Sequence, residues 1–205
     1  VAWVLQRVFN NLFLKDEQVQ NDNLKVLSQA VSKNLDLESV LRYLVEAVVA
    51  NVHVKDVYVC LHDEEAQCYT SEYVRLNESL FTKSVVLKED NPCIEWLSKH
   101  KQCMTRREFE HSTFYKLMWE TEKALFRELN IGCVMPLECD DKLVGVVLLS
   151  EKEKGAQYSY DDMTFLESAQ SIISVAVKNA KLYQQVLKEA RTDHLTGLLN
   201  RKEFL

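Results

Sequence analysis

The chain has 205 residues, 47% of them hydrophobic, with 25 basic against 31 acidic side chains and a net charge of −6. That length suits one domain with long helical extensions better than two full domains. Without a dense basic stretch there is no electrostatic footprint for nucleic acid or for an anionic membrane surface. No apolar run approaches the roughly 18 residues a membrane-spanning helix needs.

Only four Gly and two Pro punctuate the sequence, so long helices are expected. Residues 1–15 carry Val1, Leu5, Val8 and Leu12 on one helical face. A second helix is predicted over 18–34, with Leu24, Leu27 and Val31 aligned. Asp36 can then N-cap a third, whose buried side is Leu41, Leu44, Val45, Val48 and Val49. The pattern next switches to period two. Val57, Val59 and Leu61 alternate with Tyr58, Cys60 and His62, which predicts a central strand paired with Gln67–Arg75. A short helix is expected over 92–100, with Pro92 at its first position, and a longer one over 112–130. Two further strands, 131–139 and 142–150, are joined by a polar turn. A last helix, capped by Ser159 or Asp161, runs to about Arg191. Sequential hairpins covered by helices give an α+β fold: a central antiparallel sheet with long N- and C-terminal helices on one face.

In that last helix Leu166, Ala169, Ile173, Ala176, Ala180, Tyr183, Leu187 and Ala190 follow the alternating three–four spacing of a heptad seam. The spacing predicts a parallel two-stranded coiled coil, and hence a homodimer. From Asp162 to Arg191 the helix would span roughly 45 Å.

The sequence from Ile131 to Tyr183 resembles the GAF family of sensor domains. Val134, Pro136 and Leu137 sit in its V-x-P-L strand, Gly145 in its following strand, and Ala176, Asn179, Ala180, Leu182 and Tyr183 in its terminal helix motif. The resemblance implies a sheet with helices on one face and a small-molecule pocket on the other. The end of the chain, ARTDHLTGLLNRKEF, resembles the opening signature of the GGDEF family of diguanylate cyclases, at Asp193, Leu195, Thr196, Gly197, Leu198, Asn200, Arg201 and Phe204. In that family the signature is structural, and the catalytic aspartates lie further on. The resemblance therefore implies a sensor fragment of a bacterial cyclic di-GMP signalling protein, with no catalytic residue of its own and an attached cyclase domain. The stretch LQRVFNNLFLKD is similar to segments that join membrane regions to cytosolic GAF domains. The domains are then 1–34 (N-terminal, juxtamembrane helices), 35–180 (GAF-like sensor), 181–192 (linker helix) and 193–205 (GGDEF start). The fragment is expected to be cytoplasmic, and its parent membrane-anchored.

Two other readings stand beside this one. The domain could be a structural dimerisation module whose pocket binds nothing. It could also be a cysteine-based reductase, since Cys93 and Cys103 lie ten residues apart near Arg106 and Arg107, and some GAF-fold enzymes reduce free methionine sulfoxide through cysteines. No metal and no cofactor are expected, and the six cysteines read as free thiols. For an unknown small-molecule ligand, the expected lining is Tyr58, Cys60, Cys133, Met135 and Trp119. Tyr58 and Cys60 should face away from the terminal helices. Cys133 and Met135 are placed beside them because a soft, adaptable lining suits a ligand. Trp96, Phe114, Tyr115 and Phe126 crowd the helical insertion, where one or two could join the pocket.

Overall fold

A computed structural model describes residues 22–32, 36–75 and 84–191. A helix over residues 22–32 (α1) precedes α2 (Leu37–Val52). Asp36 caps α2 by accepting the Ser39 N–H at 2.9 Å. The strands β1 (Val57–Asp63), β2 (Cys68–Arg75) and β3 (Val86–Lys88) follow, then α3 (Pro92–His100) and β4 (Met104–Thr105). Three short helices come next: α4 (Arg106–His111), α5 (Thr113–Leu117) and α6 (Glu120–Glu128). The hairpin β5 (Ile131–Cys139) and β6 (Lys142–Ser150) leads through a 3₁₀ turn at Glu153–Gly155 into α7 (Tyr160–Arg191). Ser159 caps α7, accepting the Asp162 N–H at 3.1 Å while the Asp162 carboxylate takes the Ser159 N–H at 2.7 Å.

The six strands form one antiparallel sheet in the order β3-β2-β1-β6-β5-β4. Residues paired across neighbouring strands share a face, so the register assigns each side chain to one of two cores. Val57, Leu149 and Cys133 form one such row, and Val59, Val147 and Met135 the next. Both rows pack under α1, α2 and α7, with Leu44, Phe165, Leu166 and Ile173 fully buried above them. Tyr58, Leu148 and Val134 form a row on the opposite face, packed under α3 to α6. Gly145 lies between Leu61 and Leu137 on the α7 side. A Cβ there would come within 2.8 Å of the Leu61 side chain and 2.9 Å of the Cys60 carbonyl, so the two leucines occupy the space a side chain would need.

The helix expected over 112–130 is instead two, α5 and α6, broken at Met118–Trp119. Ser112 and Trp119 both adopt extended backbone, and each opens a new helix: Ser112 Oγ accepts the Tyr115 N–H at 3.2 Å, and Glu122 takes the Trp119 N–H at 2.8 Å. Serine competes for backbone donors in this way, which favours a cap over a continued turn. The edge strands β3 and β4, of three and two residues, were not expected; they are too short to show alternation.

Candidate functional site

Between the sheet and the short helices lies an apolar nest. Met104, Ile131 and Val134 form its floor, and Phe109, Tyr115 and Phe126 close it from above. The rings of Phe109 and Tyr115 meet edge to face at 5.6 Å, and those of Phe109 and Phe126 tilt together at 6.1 Å. This packing leaves a void of about 10 Å³, close to the least that holds a single water. Cations surround it. The Lys123 ammonium sits 5.2 Å from the Tyr115 ring centre and 3.1 Å from Glu120. Arg127 reaches Glu120 at 3.3 Å, and Arg106 pairs with Glu110 at 2.7 Å. Hydrogen bonds from Lys123 and then Arg127 hold the Glu120 carboxyl below its ordinary value.

The roof over this nest is held lightly. Phe109 is the buried residue of α4, and α5 and α6 have none. One strong tie is Asn91, itself buried: its carbonyl oxygen caps α3 at Cys93 N–H, 2.9 Å away, while its amide donates to Glu122 of α6 at 2.9 Å.

On the other side of the sheet α7 is clasped by two hairpin turns. Lys181 donates to the His62 carbonyl at the end of β1, at 2.6 Å, and its ammonium is pushed below the ordinary lysine value by burial. His62 in turn pairs with Glu89 and tilts against Tyr69. In the β5–β6 turn, Asp140 pairs with Lys178, and Ser174 accepts the Glu138 N–H at 2.9 Å. That same turn is held from α3: Lys101, its C-cap, reaches Glu138 at 2.7 Å and Asp141 at 2.5 Å. The helices of both faces therefore grip one turn.

Tyr58 and Cys60 lie on the roof face, as expected from their alternation, and both are buried in it. Cys133 and Met135 do not. They point into the core beneath α2 and α7, because their cross-strand partners Leu149 and Val147 are tied to Val57 and Val59. Trp119 is also outside the nest: its side chain is 77% exposed beside β3. The lining residues that sequence reasoning missed include Met104, Phe109, Ile131, Val134 and Lys123. Only Val134 carried a signal, its place in the V-x-P-L strand. Leu166, Ala169, Ile173, Ala176 and Ala180 are committed to the domain's own core, while Tyr183 and Leu187 are exposed. The signature residues Asp193, Leu195, Thr196, Gly197, Leu198, Asn200, Arg201 and Phe204, and the helix expected over 1–15, lie outside the described residues.

The thiols are poorly placed for chemistry. Cys93 packs in the roof-face core and Cys103 in the α7-face core, so the sheet separates them. Burial raises the thiol pKa of both, and that of Cys60 to about 12. A nucleophilic cysteine needs the opposite shift. Among the described residues no group of His, Cys, Asp and Glu could hold a metal ion, and no helix is long and apolar enough to cross a membrane.

The profile of the GAF domain matches residues 36–177, well over half of the chain. The protein belongs to the GAF domain family. Solved structures share the fold at low identity. A methyl-accepting chemotaxis protein fragment superposes with a TM-score of 0.61 at 16% identity, covering 77% of this chain and 98% of that one. The GAF domain of an Acinetobacter phosphoenolpyruvate-protein phosphotransferase gives 0.59 at 17%, covering 80% and 95%. The free methionine-R-sulfoxide reductase of Neisseria meningitidis, in complex with its substrate, gives 0.57 at 13%, covering 80% and 91%. A comparison with curated protein sequences finds no match. Residues 36–177 of the chain thus form a GAF domain.

Proposed function

We propose that this GAF domain is the regulatory module of a cyclic di-GMP signalling protein, dimerising through its terminal helices and controlling an attached diguanylate cyclase domain. One observation carries the reading: α7 runs without interruption from the sheet to Arg191, directly before the residues that resemble the GGDEF opening signature. Movement of a helix rooted in the sensor core is a direct way to reposition whatever follows it. The ligand class follows from the nest: a small, largely apolar or aromatic molecule with an acidic group, set among Phe109, Tyr115 and Phe126 and met by Lys123 or Arg127. Because these side chains now fill the space, binding must lift α4 to α6. The roof's short helices and few buried residues make that the inexpensive motion. The domain then has a closed and an open state, and a ligand shifts them by its differential affinity alone. The test is cyclic di-GMP formation from GTP by the full-length parent, with and without small aromatic acids that raise the thermal midpoint of this domain. A parent that makes no cyclic di-GMP under any condition removes the cyclase reading.

The filled nest also supports a second reading, a structural dimerisation domain that takes no ligand. Under it, no metabolite raises the midpoint, and Phe126→Ala opens a cavity that changes stability without changing parent activity. A catalytic thiol role has no such support, since Cys93 and Cys103 are buried on opposite faces.

A further inference from the structure

Among the residues of α7 whose side chains are described, the last buried against its own domain is Ala180. The helix nevertheless continues to Arg191, and it carries a second apolar stripe that the domain leaves uncovered. Val175, Leu182 and Val186 are 52%, 55% and 53% exposed. Ile172, only partly buried, begins the line, and the exposed Asn179 completes it. The spacing Ile172, Val175, Asn179, Leu182, Val186 is three, four, three, four. It is a heptad seam turned away from the one that Leu166 to Ala180 give to the core.

We infer that this stripe is where a second copy of the chain docks, in parallel and in register, with Ile172, Asn179 and Val186 at the a positions and Val175 and Leu182 at d. The inference rests on the dimeric reading above and replaces its seam. The residue types commit the occupant. β-Branched residues at a with leucine at d favour two parallel strands, and a single asparagine at a fixes register by pairing with its own copy. Such a contact is self-complementary, as a two-fold interface requires. The charges agree. Between Ile172 and Val186 the positions at or flanking the seam carry one charged side chain, Lys178, and Asp140 of the same copy already pairs with it. No unpaired like charges are brought together. Tyr183, 43% exposed, would flank the seam rather than fill it.

Sedimentation equilibrium of the 205-residue chain and cross-linking of cysteine variants in a Cys139→Ser background test this. The parent is expected to be a dimer. Leu182→Glu and Val175→Glu should each raise its dissociation constant at least tenfold while leaving the circular dichroism spectrum unchanged. Asn179→Cys should cross-link to a dimer under Cu(II)-phenanthroline, whereas Gln184→Cys, on the far side of the helix, should not. A dimer that cross-links at Tyr183→Cys or Leu187→Cys but not at Asn179→Cys overturns the seam and leaves the dimeric reading standing. A parent that is monomeric at every concentration overturns both.

Discussion

The two faces of the sheet are built differently from similar materials. On one, two long helices lay Leu44, Val48, Phe165, Leu166 and Ile173 against rows of valine and leucine. On the other, four short helices cover an equally apolar surface, and the last two contribute no fully buried residue. Long helices carry many anchors per backbone end, so they open only when the domain does. Short capped helices depend on a few side chains and their caps, so they can open alone. A sensor benefits from this division: one face keeps the fold while the other admits change.

Alkaline pH tests what the faces share. Cys60 and Cys93 on the roof face, and Cys103 and Cys133 on the α7 face, keep their protons above the ordinary thiol value of 9.0 because burial disfavours the thiolate. The unfolded chain loses those protons first, so stability falls as pH rises past about 9, by about 1.4 kcal/mol per unit for each thiol. Lys181, whose folded value is lowered, acts in the opposite sense and offsets part of this. Urea midpoints that stay flat from pH 8 to 10.5 would contradict the burial of these thiols.

Matched leucine deletions separate the faces. Leu166→Ala should cost about 2–5 kcal/mol in urea unfolding, since Leu166 is fully buried. Leu125→Ala in α6, where the side chain is only partly buried, should cost about 1 kcal/mol. Equal costs would erase the distinction. Thiol labelling with a disulfide reagent under native conditions sharpens it further. Cys93 should react at least about tenfold faster than Cys133, corresponding to about 1.4 kcal/mol, because it needs only the roof to open. The smallest effect belongs to the tie between α3 and α6: Asn91→Ala should lose about 1 kcal/mol and widen the labelling gap between Cys93 and Cys133, since it frees both helix starts at once.

The sequence was informative wherever period and partner coincide. Val57, Val59 and Leu61 alternate so regularly that their face could be read directly, and Asp36 and Pro92 mark helix starts by their chemistry alone. Cys133 and Met135 could not be placed the same way. In β5 nearly every residue is buried, so alternation carries no sign, and only the register to β6 and through it to β1 decides the face. The heptad in α7 was legible but ambiguous. Three–four spacing describes any helix packed on a neighbour, and the residues from Leu166 to Ala180 satisfy it against their own sheet. The roof was hardest, because Trp119 interrupts a run that otherwise reads as one helix.

The β5–β6 turn has one further consequence. Asp140 and Asp141 both hold left-handed backbone, so the turn is a stiff crank with a single shape. Its two bearings are soft, since Lys101 and Lys178 meet those aspartates in open solvent. Both helices thus meet at the turn through pairs that ionic strength controls: at 1 M salt the screening length shrinks to about 3 Å, and the bearings loosen while both hydrophobic cores stay as they are.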